Sequence, residues 1–277
     1  VSTVRTFIKS LLPYFIALTI VTWILAPLFL SLLSAFIKIE YYYGGSTIIP
    51  LSPQAYTLDN VRLLLTLGAH SALVRSLQVG VLVVMLCVML GVPAGYALGR
   101  FVFRGRDSIK LFVLSFRLIP VALIAVPIAK ILLTIGLYDS IVGLALVHTA
   151  LALPFVILIT ANVFASIPRD LEEVGFVFGM SRLQVFLRIT APLALPGITA
   201  SALFAFLISW NEVFAASVLT LTERTLPAFV ITAFGGGTRG VAPDPFKFAS
   251  ILFLVLPAIL IMAYIRRYLV VMWGTTR

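Results

Sequence analysis

The chain has 277 residues, 61% hydrophobic and 11% charged, against about 25% charged in an ordinary soluble domain. Its net charge is +10, but most basic residues lie in short loops beside apolar runs, which sets membrane topology and excludes nucleic acid as the expected partner. Cys87 is the single cysteine, so neither an intrachain disulfide nor a cysteine metal cluster is available.

In chain order, Arg5 and Lys9 form a basic lead-in to a first apolar run at 11–37, interrupted by Pro13 and Pro27. A cleaved signal peptide is the rival reading, and the run is too long for one. Residues 38–71 form a polar loop whose Tyr41, Tyr42 and Tyr43 suit interfacial anchoring. The second run, 72–99, carries Gly91, Gly95 and Gly99 at a spacing that lets another helix approach closely. RFVFRGRDSIK at 100–110 is basic, as a cytoplasmic loop would be. Runs three and four, 111–135 and 141–165, flank a short turn at 136–140. A fifth run at 192–221 leads to a glycine- and proline-rich loop at 222–245, containing Gly235, Gly236 and Gly237. A sixth at 246–265 precedes a basic tail with Arg266, Arg267 and Arg277. Runs of this length predict an all-α, polytopic membrane protein with six transmembrane helices, as one domain over 1–277.

The longest polar break beside the basic loops is 166–198, SIPRDLEEVGFVFGMSRLQVFLRITAPLALPGI. It reads as two short helices. Pro168 suits the opening position of the first, and Asp170, Glu172 and Glu173 suit its first turn, where the helix dipole favours negative charge. Gly179 ends it. Ser181 and Gln184 have capping-box spacing for the second helix, and Pro192 and Pro196 frame the return to the membrane. With six spans both termini share one side. That side holds twelve Lys or Arg against six on the other, which predicts cytoplasmic termini and a cytoplasmic hairpin.

Chemistry-bearing motifs are missing. No G-x-x-x-x-G-K-[ST] phosphate loop occurs, so the chain is not expected to bind ATP itself, and no H-E-x-x-H or similar metal spacing occurs. No nucleophile–base pairing stands out, so an enzyme is not expected. Polar residues inside spans are functional candidates by default. Among them Arg117 reads as snorkelling to the interface, His148 as a helix-packing histidine, and Asn162 as a capping or bridging residue. Trp210, Asn211 and Glu212 combine a stacking aromatic with hydrogen-bonding groups, which suits a sugar; an interfacial tryptophan at a polar helix end is the alternative. Glu212 falls near the outer end of its span, which argues against an acid relay.

These residues carry a resemblance. The hairpin is similar to the cytoplasmic loop of permease subunits of ATP-binding-cassette (ABC) importers of bacteria and archaea, which runs E-A-A, three residues, G, nine residues, I-x-L-P. Here Glu173-Val174-Gly175 stands for E-A-A, Gly179 for the glycine and Ile189-Thr190-Ala191-Pro192 for the end. Gly95 to Phe101, Phe103 to Arg106, Arg117 to Pro120, Leu153-Pro154-Phe155, Ile167-Pro168, Ser209 to Glu212 and Arg266-Arg267-Tyr268 resemble the carbohydrate-uptake branch, the maltose permease G-like subunits. Val174, Gly175 and Phe178 depart from the family pattern, as does the C-terminus from Trp273 to Arg277.

The resemblance implies a type I ABC importer permease fold, with residues 166–191 as a coupling-helix loop. Glu172, Glu173, Gly175, Phe176, Phe178, Gly179, Met180 and Ser181 would then engage a cytoplasmic ATPase, with Glu173 touching it, Gly179 permitting the turn, and Phe176, Phe178 and Met180 giving an apolar docking surface. It further implies a second permease, two ATPase subunits that bind ATP and magnesium, and an extracytoplasmic solute-binding protein, all in the cell membrane. This chain would hold no cofactor. Trp210, Asn211, Glu212 and Asn162 would line the path of a sugar or related polar solute. A stand-alone secondary carrier or channel is the alternative function, and a membrane scaffold a third.

Overall fold

The computed structural model describes residues 2–44, 50, 52–234 and 243–274. In hydrocarbon every backbone N–H and C=O must find a partner within the chain, and long apolar runs without alternation satisfy this as helices. The helices are α1 (Ser2–Ser34), α2 (Ile39–Tyr43), α3 (Asp59–Thr66), α4 (Ala69–Arg100), α5 (Arg106–Ser115), α6 (Val121–Thr134) and α7 (Ile141–Ser166). They continue with α8 (Asp170–Val177), α9 (Arg182–Val185), α10 (Ala191–Asn211), α11 (Phe214–Leu219), α12 (Leu226–Phe234) and α13 (Asp244–Gly274). Among the described residues five helical stretches are long and apolar enough to cross a membrane, and six if one bent pair counts as a single span. Gly235, Gly236, Gly237 and Arg277 lie outside the described residues.

Two expected runs take a different form. The third, 111–135, is not a straight span: the helix from Arg106 to Leu118 meets α6 at 88°. Pro120 disfavours helical backbone in the residue before it, and Ile119 is extended, with ψ 115°. The fifth run ends early and starts early. A helical rod runs from Arg182 to Asn211, so the second hairpin helix is its first turns rather than a separate element. A π-helical turn at Phe186–Thr190 interrupts it just before Pro192, whose missing N–H already breaks the regular ladder.

The chain forms two compact units. The first comprises residues 1–69 and 233–255. There Asn60 is buried and donates to the carbonyls of Ala35 and Ile37 at 2.9 and 3.0 Å, fixing the end of α1 over α3. Two of the three tyrosines expected at the interface also make contacts within this unit, although Tyr43 stays exposed. The Tyr42 ring meets Phe248 at 6.1 Å, and the Tyr43 hydroxyl accepts from the Asp244 backbone N–H at 3.0 Å.

The second unit comprises residues 70–232 and 256–277. Its core joins Val79 and Val83 of α4, Leu144 and Val156 of α7, Ala205 of α10 and Leu219 of α11. The glycine stripe of α4 finds its partner in α7. A side chain at Gly91 would meet Val156, one at Gly95 would run into Thr160, and one at Gly99 would meet the Ala161 carbonyl and Phe164. Gly197 of α10 gives α7 the same access through Val163. Val74, Val81, Met85 and Met89 of α4 are exposed, as apolar side chains facing lipid would be.

Candidate functional site

The hairpin is built by local rules. Pro168 lies outside α8, whose N-cap position is Arg169; the expectation that Pro168 opens this helix fails because it instead forces Ile167 to extended backbone, ψ 129°, and ends α7. Asp170, Glu172 and Glu173 occupy the first turn of α8. At the other end the Met180 N–H bonds the Gly175 carbonyl at 3.0 Å and the Gly179 N–H bonds the Phe176 carbonyl at 2.9 Å. This pairing is the Schellman stop, which places one residue in the left-handed region; Gly179 is there at φ 77°. Ser181 and Gln184 then complete the capping box: the Gln184 N–H donates to Ser181 Oγ at 3.3 Å, and the Ser181 N–H to Gln184 Oε1 at 2.8 Å.

The two limbs close tightly. Gly175 is buried, and a methyl there would press on Ile189 Cδ1 at 2.7 Å and Val185 Cγ2 at 3.0 Å. The turn leaves an apolar tip exposed: Val177 is 85% and Phe178 79% accessible, and Phe176, Val174 and Leu183 are also exposed. Glu173 and Ser181 are exposed beside them, and Met180 is half-buried. Glu172 turns the other way. Its Oε1 lies 2.9 Å from Arg100 Nε and accepts from Thr190 Oγ1 at 2.7 Å. Its exposure is 12%, so it serves inside the hairpin root rather than at the tip.

At the far end of α10, the structure gathers His148, Ser209 and Glu212. His148 is fully buried, with Nδ1 2.9 Å from Ser209 Oγ and Nε2 3.6 Å from Glu212 Oε2. The Glu212 carboxylate accepts the N–H groups of Ala215 and Ala216, both at 3.1 Å, and so caps α11. Trp210 is buried and stacks on Phe206 at 5.6 Å. Asn211 is exposed, its amide donating to the Leu207 carbonyl at 2.8 Å, and Asn162 is exposed on α7. The four expected path residues therefore divide: Trp210 and Glu212 hold structure together, while Asn211 and Asn162 face outward. Arg117 lies over the Phe155 ring at 4.5 Å and donates to the Leu151 carbonyl at 3.1 Å, so it clasps α7.

The loop after α11 is tied down by Asp139, a non-glycine residue at φ 54°. Its carboxylate accepts from the N–H groups of Leu221, Thr222 and Glu223 and from the Thr222 hydroxyl. Burial opposes its ionisation, but the Thr222 hydroxyl and the three N–H donors outweigh it and hold the pKa at about 2. Arg75 Nε pairs with Glu223 Oε2 at 2.6 Å. Among the described residues no group of three His, Cys, Asp or Glu side chains could hold a metal ion.

A polytopic helical chain with a preformed hairpin between two spans has the architecture of a transporter permease subunit. Residues 91–270 match the family described as binding-protein-dependent transport system inner membrane component, and the chain belongs to that family. It is 34% identical over 219 residues to a putative ABC transporter permease protein of Streptomyces antibioticus, covering 78% of this chain and 94% of that one. It is 31% identical over 222 residues to the trehalose transport system permease protein SugB of Mycobacterium tuberculosis, covering 79% and 81%. With the diacetylchitobiose uptake permease DasC of Streptomyces coelicolor it shares 29% over 198 residues, 70% of each chain. Its fold is like that of a chain in a bacterial ABC transporter involved in import of the acidic polysaccharide alginate, at TM-score 0.75 and 18% identity over 95% of this chain and 97% of that chain. The protein is thus a multi-pass permease subunit of an ABC importer, with the type I fold, a family whose members work with ATPase and binding-protein subunits.

Sequence reasoning missed Val177 and Leu183 at the hairpin tip, and Arg100 and Thr190 at its root. Val177 and Leu183 had a signal, since apolar residues beside a helix-ending glycine are exposed by the turn. Arg100 had none: in a basic loop its charge reads as topology, and its partner is 72 residues away.

Proposed function

We propose that the chain forms half of the translocation path for a sugar or related polar solute, beside a second permease, and that its hairpin docks on a cytoplasmic ATPase. The observation that carries the docking reading is the hairpin itself: stopped by a Schellman turn, capped by Ser181 and Gln184, and bearing an exposed apolar tip next to Glu173. Loops that merely join spans need none of this. The tip offers Val177, Phe178, Phe176, Val174 and Leu183 to an apolar groove, with Glu173 for a basic partner group. Phe178, Val174 and Gly175, where the family pattern has other residues, make this contact more apolar and the limbs closer.

In this reading the hairpin and both termini face the cytoplasm, in keeping with the twofold basic excess on that side. The ATPase subunits bind ATP and magnesium, and this chain holds no cofactor. Closure of two ATPase subunits on ATP moves the docked hairpin and carries the spans from inward-open to outward-open. The sugar class is supported by the relatives named for trehalose and diacetylchitobiose transport. Asn211 and Asn162 are the path candidates left accessible by packing.

The test is Glu173→Lys and Gly179→Pro in the assembled complex in proteoliposomes. Both are expected to abolish ATP-driven uptake and to uncouple binding-protein-stimulated ATP hydrolysis. Survival of both activities would reject the docking role. Asn211→Ala, by contrast, is expected to weaken uptake without loss of ATPase assembly.

A further inference from the structure

One guanidinium holds the root of the hairpin. Arg100 is the last residue of α4, and its side chain is 4% exposed. Its Nε bonds Glu172 Oε1 at 2.9 Å in the first turn of α8. Its Nη1 donates to the carbonyls of Phe164 and Ile167, at 3.2 and 2.7 Å, where α7 ends. Those carbonyls belong to the last turn of α7, where the helix runs short of donors and carries the negative end of its dipole; Phe164 has there only a long 3.4 Å bond from the Ile167 N–H. The same Glu172 oxygen accepts from Thr190 Oγ1 in the π turn that leads into α10. Four elements, α4, α7, α8 and the α10 rod, therefore meet at one ion pair.

Packing around the pair has the same reach. Tyr96 of α4 meets Phe164 of α7 at 5.2 Å and Phe186 of the π turn at 4.7 Å. Arg182, on the second limb, lies over the Phe101 ring at 5.8 Å. A buried ion pair is weak grounds for stability alone, because desolvation consumes much of its gain; fixing one geometry is its better use. A lever that transmits movement requires fixed geometry.

We propose that Arg100, through Glu172, is a positioning residue that locks the hairpin to α4 and α7, so that hairpin and spans move as one body when the ATPase closes. This rests on the docking reading above and adds the part inside this chain that carries the movement onward. Glu172 and Glu173 thus divide the work: the first grips the spans, the second faces the partner.

The experiment uses the assembled complex with Cys87 replaced by alanine and spin labels at Ala165, exposed on α7, and Arg188, exposed in the π turn. The label-to-label distance is measured without nucleotide and after trapping with ATP and vanadate. In the parent complex the distance is expected to stay the same in both states. In Arg100→Gln, and in Glu172→Gln should the first not assemble, trapping is expected to shift it by about 2 Å or more, the scale of ordinary helix movements in switching. A merely structural defect would change both states alike. A parent distance that itself shifts on trapping would overturn the proposal, and so would variants that keep the parent distance in both states. A parallel Glu173→Lys complex separates the two readings: if its ATPase still associates and responds normally, the docking reading fails; if it does not, the label distances judge the lock alone.

Discussion

Gly95 sets how closely α4 and α7 approach, because a Cβ there would collide with the Thr160 side chain and lie 3.0 Å from the Ala161 backbone nitrogen. Thr160 is buried and bonded to the Val156 carbonyl at 2.6 Å, so it has little room to yield. Gly95→Val is therefore expected to destabilise the protein by about 1–3 kcal/mol or more, the usual cost of overpacking. Thermal scans of detergent-solubilised protein would read this as a lower Tm; an unchanged Tm would mean that the helices part easily. Asp139 is a second residue with a specific consequence. Its ordinary pKa of 3.8 falls to about 2 in the fold, so the unfolded chain binds this proton more tightly. The resulting stabilisation is complete above about pH 4 and fades as pH falls through 2. Asp139→Asn should lower Tm at neutral pH, and the gap to the parent should close between pH 4 and 2; a gap independent of pH would contradict the assignment.

The hairpin shows which features of an element are legible in its residues. Gly179 and the Ser181–Gln184 pair act within a few positions of themselves, so the stop and the cap follow from spacing. A side chain at Gly179 would meet no atom within 4 Å, so its requirement is conformational alone. Gly179→Ala is expected to cost about 1–2 kcal/mol, the penalty of left-handed backbone for a residue with a Cβ, and Gly179→Asn less. Equal losses would point to a packing role instead. Other features depended on competition between signals. Pro168 was eligible both to start α8 and to end α7, and the constraint it places on Ile167 decided for the second. The run 111–135 looked continuous because hydropathy does not register the bend at Ile119–Pro120. Glu212 looked like the end of a longer span, yet its carboxylate starts a new helix at Phe214.

For the molecule as a whole, composition and charge distribution led to the all-helical, multi-span class, since apolar length is a local property. The motif order from Gly95 to Tyr268 led to the importer family, which the match over residues 91–270 establishes. What was not legible were the long-range pairs: Arg100 with Glu172, His148 with Glu212, Asp139 with the 221–223 backbone. Each joins residues that are tens of positions apart and that have meaning only once the helices pack. One of these pairs sits at the hairpin root and the others near the end of α10 and the loop that follows. If the proposed docking is right, this chain moves solute only when ATP drives its hairpin. The deciding measurement is uptake of a labelled sugar held by the partner binding protein into proteoliposomes that contain the full complex. Uptake is expected to require ATP, the binding protein and an intact Glu173, with none by this chain alone under a proton or sodium gradient. Gradient-driven uptake by the isolated chain, or ATP-driven uptake undiminished in Glu173→Lys, would contradict this expectation.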